Sequence, residues 1–260
     1  MDGPSKQTAE WIEHAARLGY GAKALLYGTI GLLAGKAALG QGGATTDTRG
    51  AMSAIAQAPF GRVLMALTAL GLTGYAIWRI VAAITDAEGR GKDLKGVTLR
   101  GSFVVRAIFH LLLAWSAIRI AAGRSVVSRQ KLSAAGASGE WLLALIGLGV
   151  LGYGLYQIYR ALAGKLSRQI NRAEMVREAG RWAYTVARFG IAARGVVFCL
   201  IGYLTVQAAR NHRPNGGGGV RESLDLLASM GKLPLAVAAA GFLAYAFYEV
   251  LNVRYREIRA

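Results

Sequence analysis

The side chains able to do chemistry are few and scattered. Three histidines, His14, His110 and His212, lie far apart, and only His110 falls within an apolar stretch. A bis-histidine haem needs an axial partner on a second helix, and no other histidine is embedded. A redox protein using His110 alone would show itself in the visible spectrum of purified material; a helix-interface histidine bonded to a neighbour is the expected role. Cys199 stands alone in an apolar run and cannot form an intrachain disulfide. Gly147, Gly149 and Gly152 have the spacing of a dinucleotide-binding turn, but they follow no strand and lie inside a continuous apolar run. The glycine-rich run 215–219 lacks the lysine-serine or lysine-threonine pair of a phosphate loop and reads as a flexible outer loop. No serine, histidine and carboxylate trio lies in the apolar segments. The chain is expected to have no catalytic residue, no metal site and no cofactor, and not to be an enzyme.

What rises above this background is a set of polar residues at repeated spacing. Positions four apart form one helix face three times: Gly71, Tyr75, Arg79; Gly149, Tyr153, Gln157; and Gly241, Tyr245, Glu249. Three further cations, Lys23, Arg106 and Arg194, recur on the helix that precedes each face, six residues after Arg17, Arg100 and Arg188. If all met at one depth, four cations, one carboxylate and one amide would share a small region. Such a layer cannot persist unpaired in hydrocarbon. In one account Glu249 pairs with a cation, the tyrosines bond across helices and the remaining arginines reach lipid phosphates. In the other, the surplus charge faces a cytoplasmic cavity and binds an anionic headgroup or small anion. The six basic residues are the candidate lipid or ligand contacts, and Tyr75, Arg79, Tyr153, Gln157, Tyr245 and Glu249 the intramembrane polar layer.

Helices across a bilayer could hold such a layer. With 54% hydrophobic and 17% charged residues over 260 positions, the chain is too apolar for an ordinary soluble domain. Apolar segments cover residues 22–39, 63–84, 103–122, 141–163, 189–209 and 233–253, each near the ~20 residues a bilayer core requires. Where basic residues shorten a segment, as at Lys23 and Lys36, their long side chains can snorkel to the interface. The net charge of +17 would suit a nucleic-acid binder, yet the basic residues flank the apolar segments and form no contiguous stripe. Nucleic acid is therefore not an expected partner. Of the 31 lysines and arginines, twenty fall on the side of the two termini and eleven on the other. The positive-inside rule then places both termini in the cytoplasm of a bacterial inner membrane. The charged N-terminal stretch 1–20 is no cleavable signal, so the first membrane helix is expected to act as the targeting signal.

The chain also repeats itself. Residues 16–19, 99–102 and 187–190 align, and Gly31, Ala114 and Gly202 follow at one offset. Gly61, Gly139 and Gly231 open the second helix of each copy; ten residues on stand Gly71, Gly149 and Gly241, then the three tyrosines, then Trp78, Tyr156 and Tyr248. Amphipathic stretches at 49–58 and 220–230 read as interfacial helices on the outer face. The basic stretch 165–181, with Met175 and Trp182, reads as a helix on the cytoplasmic surface. The expected fold is an all-α integral membrane bundle of six helices in three tandem two-helix repeats with pseudo-threefold symmetry. Its divisions are residues 11–89, 97–164 and 184–260, with a linker at 165–183.

The pattern resembles a bacterial membrane family catalogued as domain of unknown function 1206, whose members look like three such repeats. The likeness rests on Ala187-Arg188-Phe189-Gly190, Ala193-Arg194-Gly195-Val196-Val197-Phe198, Leu200-Ile201-Gly202, Pro59-Phe60-Gly61 and the closing Val253-Arg254-Tyr255-Arg256. The middle copy departs most, with Phe103 and Val104, and with His110 at the site of Tyr27 and Phe198. The resemblance implies the fold and no chemistry. The functional expectation is a non-enzymatic membrane scaffold or accessory protein that binds anionic membrane lipids, within a larger complex or a homo-oligomer. The alternative is a small transporter or channel for an anionic solute along the repeat axis, with Glu249 and Arg79 as its gate.

Overall fold

The computed structural model describes residues 6–87, 89, 91, 93–124, 136–164, 170–211 and 218–258. Eight helices follow in chain order: α1 (Lys6–Leu39), α2 (Thr48–Gln57), α3 (Gly61–Thr85), α4 (Leu94–Ala121), α5 (Gly136–Leu162), α6 (Arg172–Arg210), α7 (Val220–Ser229) and α8 (Lys232–Tyr255). Among the described residues the only β-type pairing is an isolated bridge between Ile170 and Arg256. The chain is all-α. His212 and residues 165–169 and 215–217, which carry parts of the sequence-based expectations, lie outside the described residues.

Five helices, α3, α4, α5, α6 and α8, are long and apolar enough to cross a membrane. Their outward faces carry exposed Leu70, Ile84, Leu112, Trp115, Leu145 and Val250, a surface suited to lipid and costly in water. These features mark a multi-pass membrane protein. Six crossings were expected from the sequence, and α1 is the helix outside this set. The reason is composition: Lys23 and Lys36 interrupt its apolar run. Lys23 is buried where α1 packs along α3 and α8, so protein instead of lipid lies beside that charge.

The long helices adjoin in the order α4, α3, α1, α8, α6, α5. Glycine sets the distance at these seams. A Cβ on Gly71 would lie 2.7 Å from the Leu18 carbonyl oxygen, so α1 and α3 touch backbone to backbone. Gly190 does the same between α6 and α8, against the Tyr245 backbone, and Gly241 there faces the Ala193 Cβ. Between α5 and α6 the contact runs through Gly147 against Gly202 and Gly154 against Gly195. The spacing that imitates a dinucleotide motif is thus partly a helix-packing surface. Among the described residues α4 and α5 share no such seam.

The two amphipathic stretches are short helices, as the sequence led one to expect. Asp47 caps α2 by accepting a hydrogen bond from the Gly50 N–H at 2.8 Å, and α2 buries Ala51, Met52 and Ile55 against α1, α3 and α4. Leu224 anchors α7 against α6 and α8. Thr45, just before α2, donates to Asp225 of α7. The α6 helix contains a break at Gly180, whose φ of 80° and ψ of 166° lie outside the helical region. Residues 172–179 therefore form a separate helical segment, with Met175 buried, and the Asn171 N–H donates to the Tyr255 carbonyl at 2.9 Å. Trp182, just past the break, is exposed and stacks on Phe247 at 5.2 Å.

Candidate functional site

The repeated tyrosines and cations meet. In each repeat the cation of the first long helix lies over the tyrosine ring of the second: Lys23 over Tyr75 at 4.9 Å, Arg106 over Tyr153 at 5.8 Å, and Arg194 over Tyr245 at 4.6 Å. The ring face carries negative quadrupole charge, so each cation keeps a partner where water is scarce. Arg194 also lies over the Phe198 ring at 4.5 Å, and Phe198 packs edge-on against Tyr153 with ring centroids 5.3 Å apart, which brings Arg194 to the same neighbourhood as Arg106. Arg79 Nε donates to the Tyr75 hydroxyl oxygen at 2.9 Å, and its guanidinium lies 4.2 Å from the Trp78 ring.

Glu249 is fully buried, and its Oε1 is 2.6 Å from Lys23 Nζ. This ion pair ties α8 to α1, bringing together the first and third repeats. A buried carboxylate needs such a partner, because desolvating an isolated charge costs several kcal/mol (about) per ion. His110 packs against Tyr75 with ring centroids 4.5 Å apart and the planes tilted by 48°, and its Nδ1 lies 2.6 Å from the Arg106 carbonyl oxygen. Since a carbonyl only accepts, Nδ1 carries the proton of that bond. Gln157 is buried one turn beyond Tyr153. Its Nε2, like Arg194 Nε, is a buried N–H donor with no acceptor among the described residues.

Arg17, Arg100 and Arg188, expected to contact lipid with the other cations, are engaged differently. Arg100 donates from Nε to the Ala83 carbonyl at 2.7 Å and from a terminal nitrogen to that of Ile84 at 3.0 Å. Arg188 donates to Ala161 at 2.6 Å and Leu162 at 2.8 Å. Arg17 donates to Val253 and, at 3.2 Å, to Arg254, while Glu13 holds it at 2.7 Å. Each arginine therefore caps the C-terminal carbonyls of the second long helix of another repeat, α3, α5 or α8. Those carbonyls have no partner within their helix, and the macrodipole favours a cation there.

Sequence reasoning left Arg256 and Tyr20 out of the site and took Trp78 only as a repeated position. Arg256 is buried, lies 5.2 Å from both the Tyr20 and Trp78 rings and donates to the Asn252 side-chain oxygen at 3.3 Å. It comes from beyond the end of α8, outside any apolar periodicity. A signal was present in the closing Arg254-Tyr255-Arg256, read only as a family feature.

The family described as Domain of Unknown Function (DUF1206) matches residues 18–86, 101–164 and 189–256. The chain belongs to this family. The three DUF1206 matches fall on the three copies of the repeat, each contributing one cation over one tyrosine. The chain is also 30% identical to the uncharacterized protein YxxB of Bacillus subtilis (strain 168), over 99% of its own length and 96% of that relative's. No solved structure matches it.

Proposed function

We propose that this DUF1206 protein is a non-enzymatic scaffold or accessory protein of the bacterial inner membrane, whose basic layer binds anionic phospholipid near the cytoplasmic leaflet. In this reading α1 is a sixth crossing, the three repeats stand around a pseudo-threefold axis, both termini are cytoplasmic, and the protein works within a larger complex or a homo-oligomer. A helix of 34 residues is about 50 Å long, enough for α1 to accompany α3 and α8 across the bilayer. The observation that carries the lipid reading is the imbalance of the layer. Lys23, Arg106 and Arg194 gather on the tyrosine rings; among the described residues Glu249 is the one carboxylate in ion-pair contact with these three, and it is taken by Lys23.

Native mass spectrometry of detergent-purified protein tests it. Wild type should retain anionic phospholipid, and Arg106→Glu or Arg194→Glu should lose it; unchanged retention in both variants contradicts the reading. The competing class is an anion transporter dependent on Arg79 and Glu249. Solute flux in liposomes that Glu249→Gln abolishes would favour it.

A further inference from the structure

The three repeats are not closed alike. In the first, α1 presents Gly19, Ala22 and Leu26 to α3, all buried. In the third, α6 presents Gly190, Ala193 and Val197 to α8. The equivalent positions of α4 are Ser102, Val105 and Phe109, and Val105 and Phe109 are 68% and 55% exposed. The partner face of α5 is equally bare. Trp78 and Tyr248 are 2% and 7% exposed, whereas the equivalent Tyr156 is 53% exposed. A Cβ on Gly71 or Gly241 would strike the facing helix; one on Gly149 or Gly152 meets nothing within 4 Å. A serine and a valine in place of glycine and alanine keep α4 from approaching as closely as α1 and α6 do. Near the polar layer these two helices still meet, through Arg106 over Tyr153.

We propose that the gap between α4 and α5 is the docking site of one anionic phospholipid, its phosphate held beside Tyr153 by Arg106 and Arg194 and its acyl chains lying along Val105, Phe109, Gly149 and Tyr156. The occupant follows from charge and shape together. Arg106 lies over the Tyr153 ring and Arg194 over Phe198, whose ring packs edge-on against Tyr153, and the Arg194 Nε–H and the Gln157 amide nitrogen are buried donors with no acceptor among the described residues. A phosphate diester has acceptor oxygens for them and a charge that complements both guanidinium groups. The rest of the gap is apolar and faces outward, which suits hydrocarbon chains. The inference rests on the proposed lipid binding and gives it a location.

Phosphatidylglycerol and phosphatidylcholine carrying a photoreactive acyl chain, in otherwise matched nanodiscs, test the location. Phosphatidylglycerol should label peptides of α4 and α5 about tenfold more than phosphatidylcholine does, since two nearby arginines favour the anion. Equal labelling by the two lipids, or labelling spread evenly over the outer faces of α3 and α8, overturns the proposal. Gly149→Leu fills the gap without touching the arginines, and open space at that Cβ keeps the fold intact. It should lower phosphatidylglycerol retention about tenfold, and full retention overturns the location. If retention is instead lost in Arg106→Glu and unaffected by Gly149→Leu, lipid binding stands and this site does not. Crosslinking of Val105→Cys, on a Cys199→Ser background, to a second copy or to another membrane protein would assign the gap to a protein and also overturn it.

Discussion

The α1–α3 hairpin and the α4–α5 pair are copies of one unit, and they use the same aromatic–cation contact for opposite packing results. In the first, glycine on both helices brings backbones together and the Lys23–Tyr75 contact sits inside a closed seam, backed by Glu249 of α8. In the second, the glycines remain on α5 but their partners on α4 have grown, so the Arg106–Tyr153 contact bridges two helices that otherwise stand apart. The lesson is that glycine on one helix is only permission to approach; the residue opposite decides whether the approach occurs. The polar layer survives the change because an arginine on a long flexible stem spans a distance that a glycine contact cannot.

The comparison can be broken in four ways, beginning with the largest effect. Gly71→Leu and Gly241→Leu drive a side chain into a facing helix and should cost more than about 4 kcal/mol, while Gly149→Leu should change stability by less than about 0.5 kcal/mol. Thermal melts in one detergent read the difference, and a similar loss at all three sites would mean that the α4–α5 gap is closed in the membrane. Next, Lys23→Met leaves Glu249 buried without its cation and should destabilise by about 3–5 kcal/mol. Lys23→Met combined with Glu249→Gln should recover much of that, whereas an Arg106→Gln protein should lose under about 1 kcal/mol because only a cation–π contact goes. If Lys23→Met and Arg106→Gln melt together, the two halves are held alike.

A smaller effect is expected at the helix-end arginines. Arg100→Gln and Arg188→Gln each remove a charged cap from a helix C-terminus and should cost about 1–2 kcal/mol, with no change in bound phospholipid. Loss of lipid in those variants would restore them to the binding site that the sequence suggested. The smallest effect belongs to His110. Its Nδ1 bond is to its own helix, so His110→Gln should leave the melt within about 1 kcal/mol of wild type.

Much of this arrangement is legible in the residues alone. The gapless recurrence of Gly71, Tyr75 and Trp78 at Gly149, Tyr153 and Tyr156 and at Gly241, Tyr245 and Tyr248 is enough to place the tyrosines at matching positions, and α2 and α7 are marked by their amphipathic period. Arg17, Arg100 and Arg188 recur as regularly, yet spacing along the chain does not show that the carbonyl end of α8, α3 or α5 lies beside each one. Their capping role depends on how repeats adjoin, which is tertiary information. The proposed crossing by α1 is hard to judge for the opposite reason, because Lys23 and Lys36 count against its apolarity while the burial of Lys23 against protein is tertiary information. The gap itself was visible only as a middle copy that departs from the others. Converting Ser102 and Val105 into a distance between helices requires backbones.

A cryo-EM map of the protein in phosphatidylglycerol nanodiscs puts all of this to the most direct test. The account predicts phosphate density between Arg106 and Arg194, with acyl density running along Gly149 and Tyr156 in a gap bounded by α4 and α5. A map in which those two helices pack against each other along their length, with both guanidinium groups facing protein alone, would contradict it.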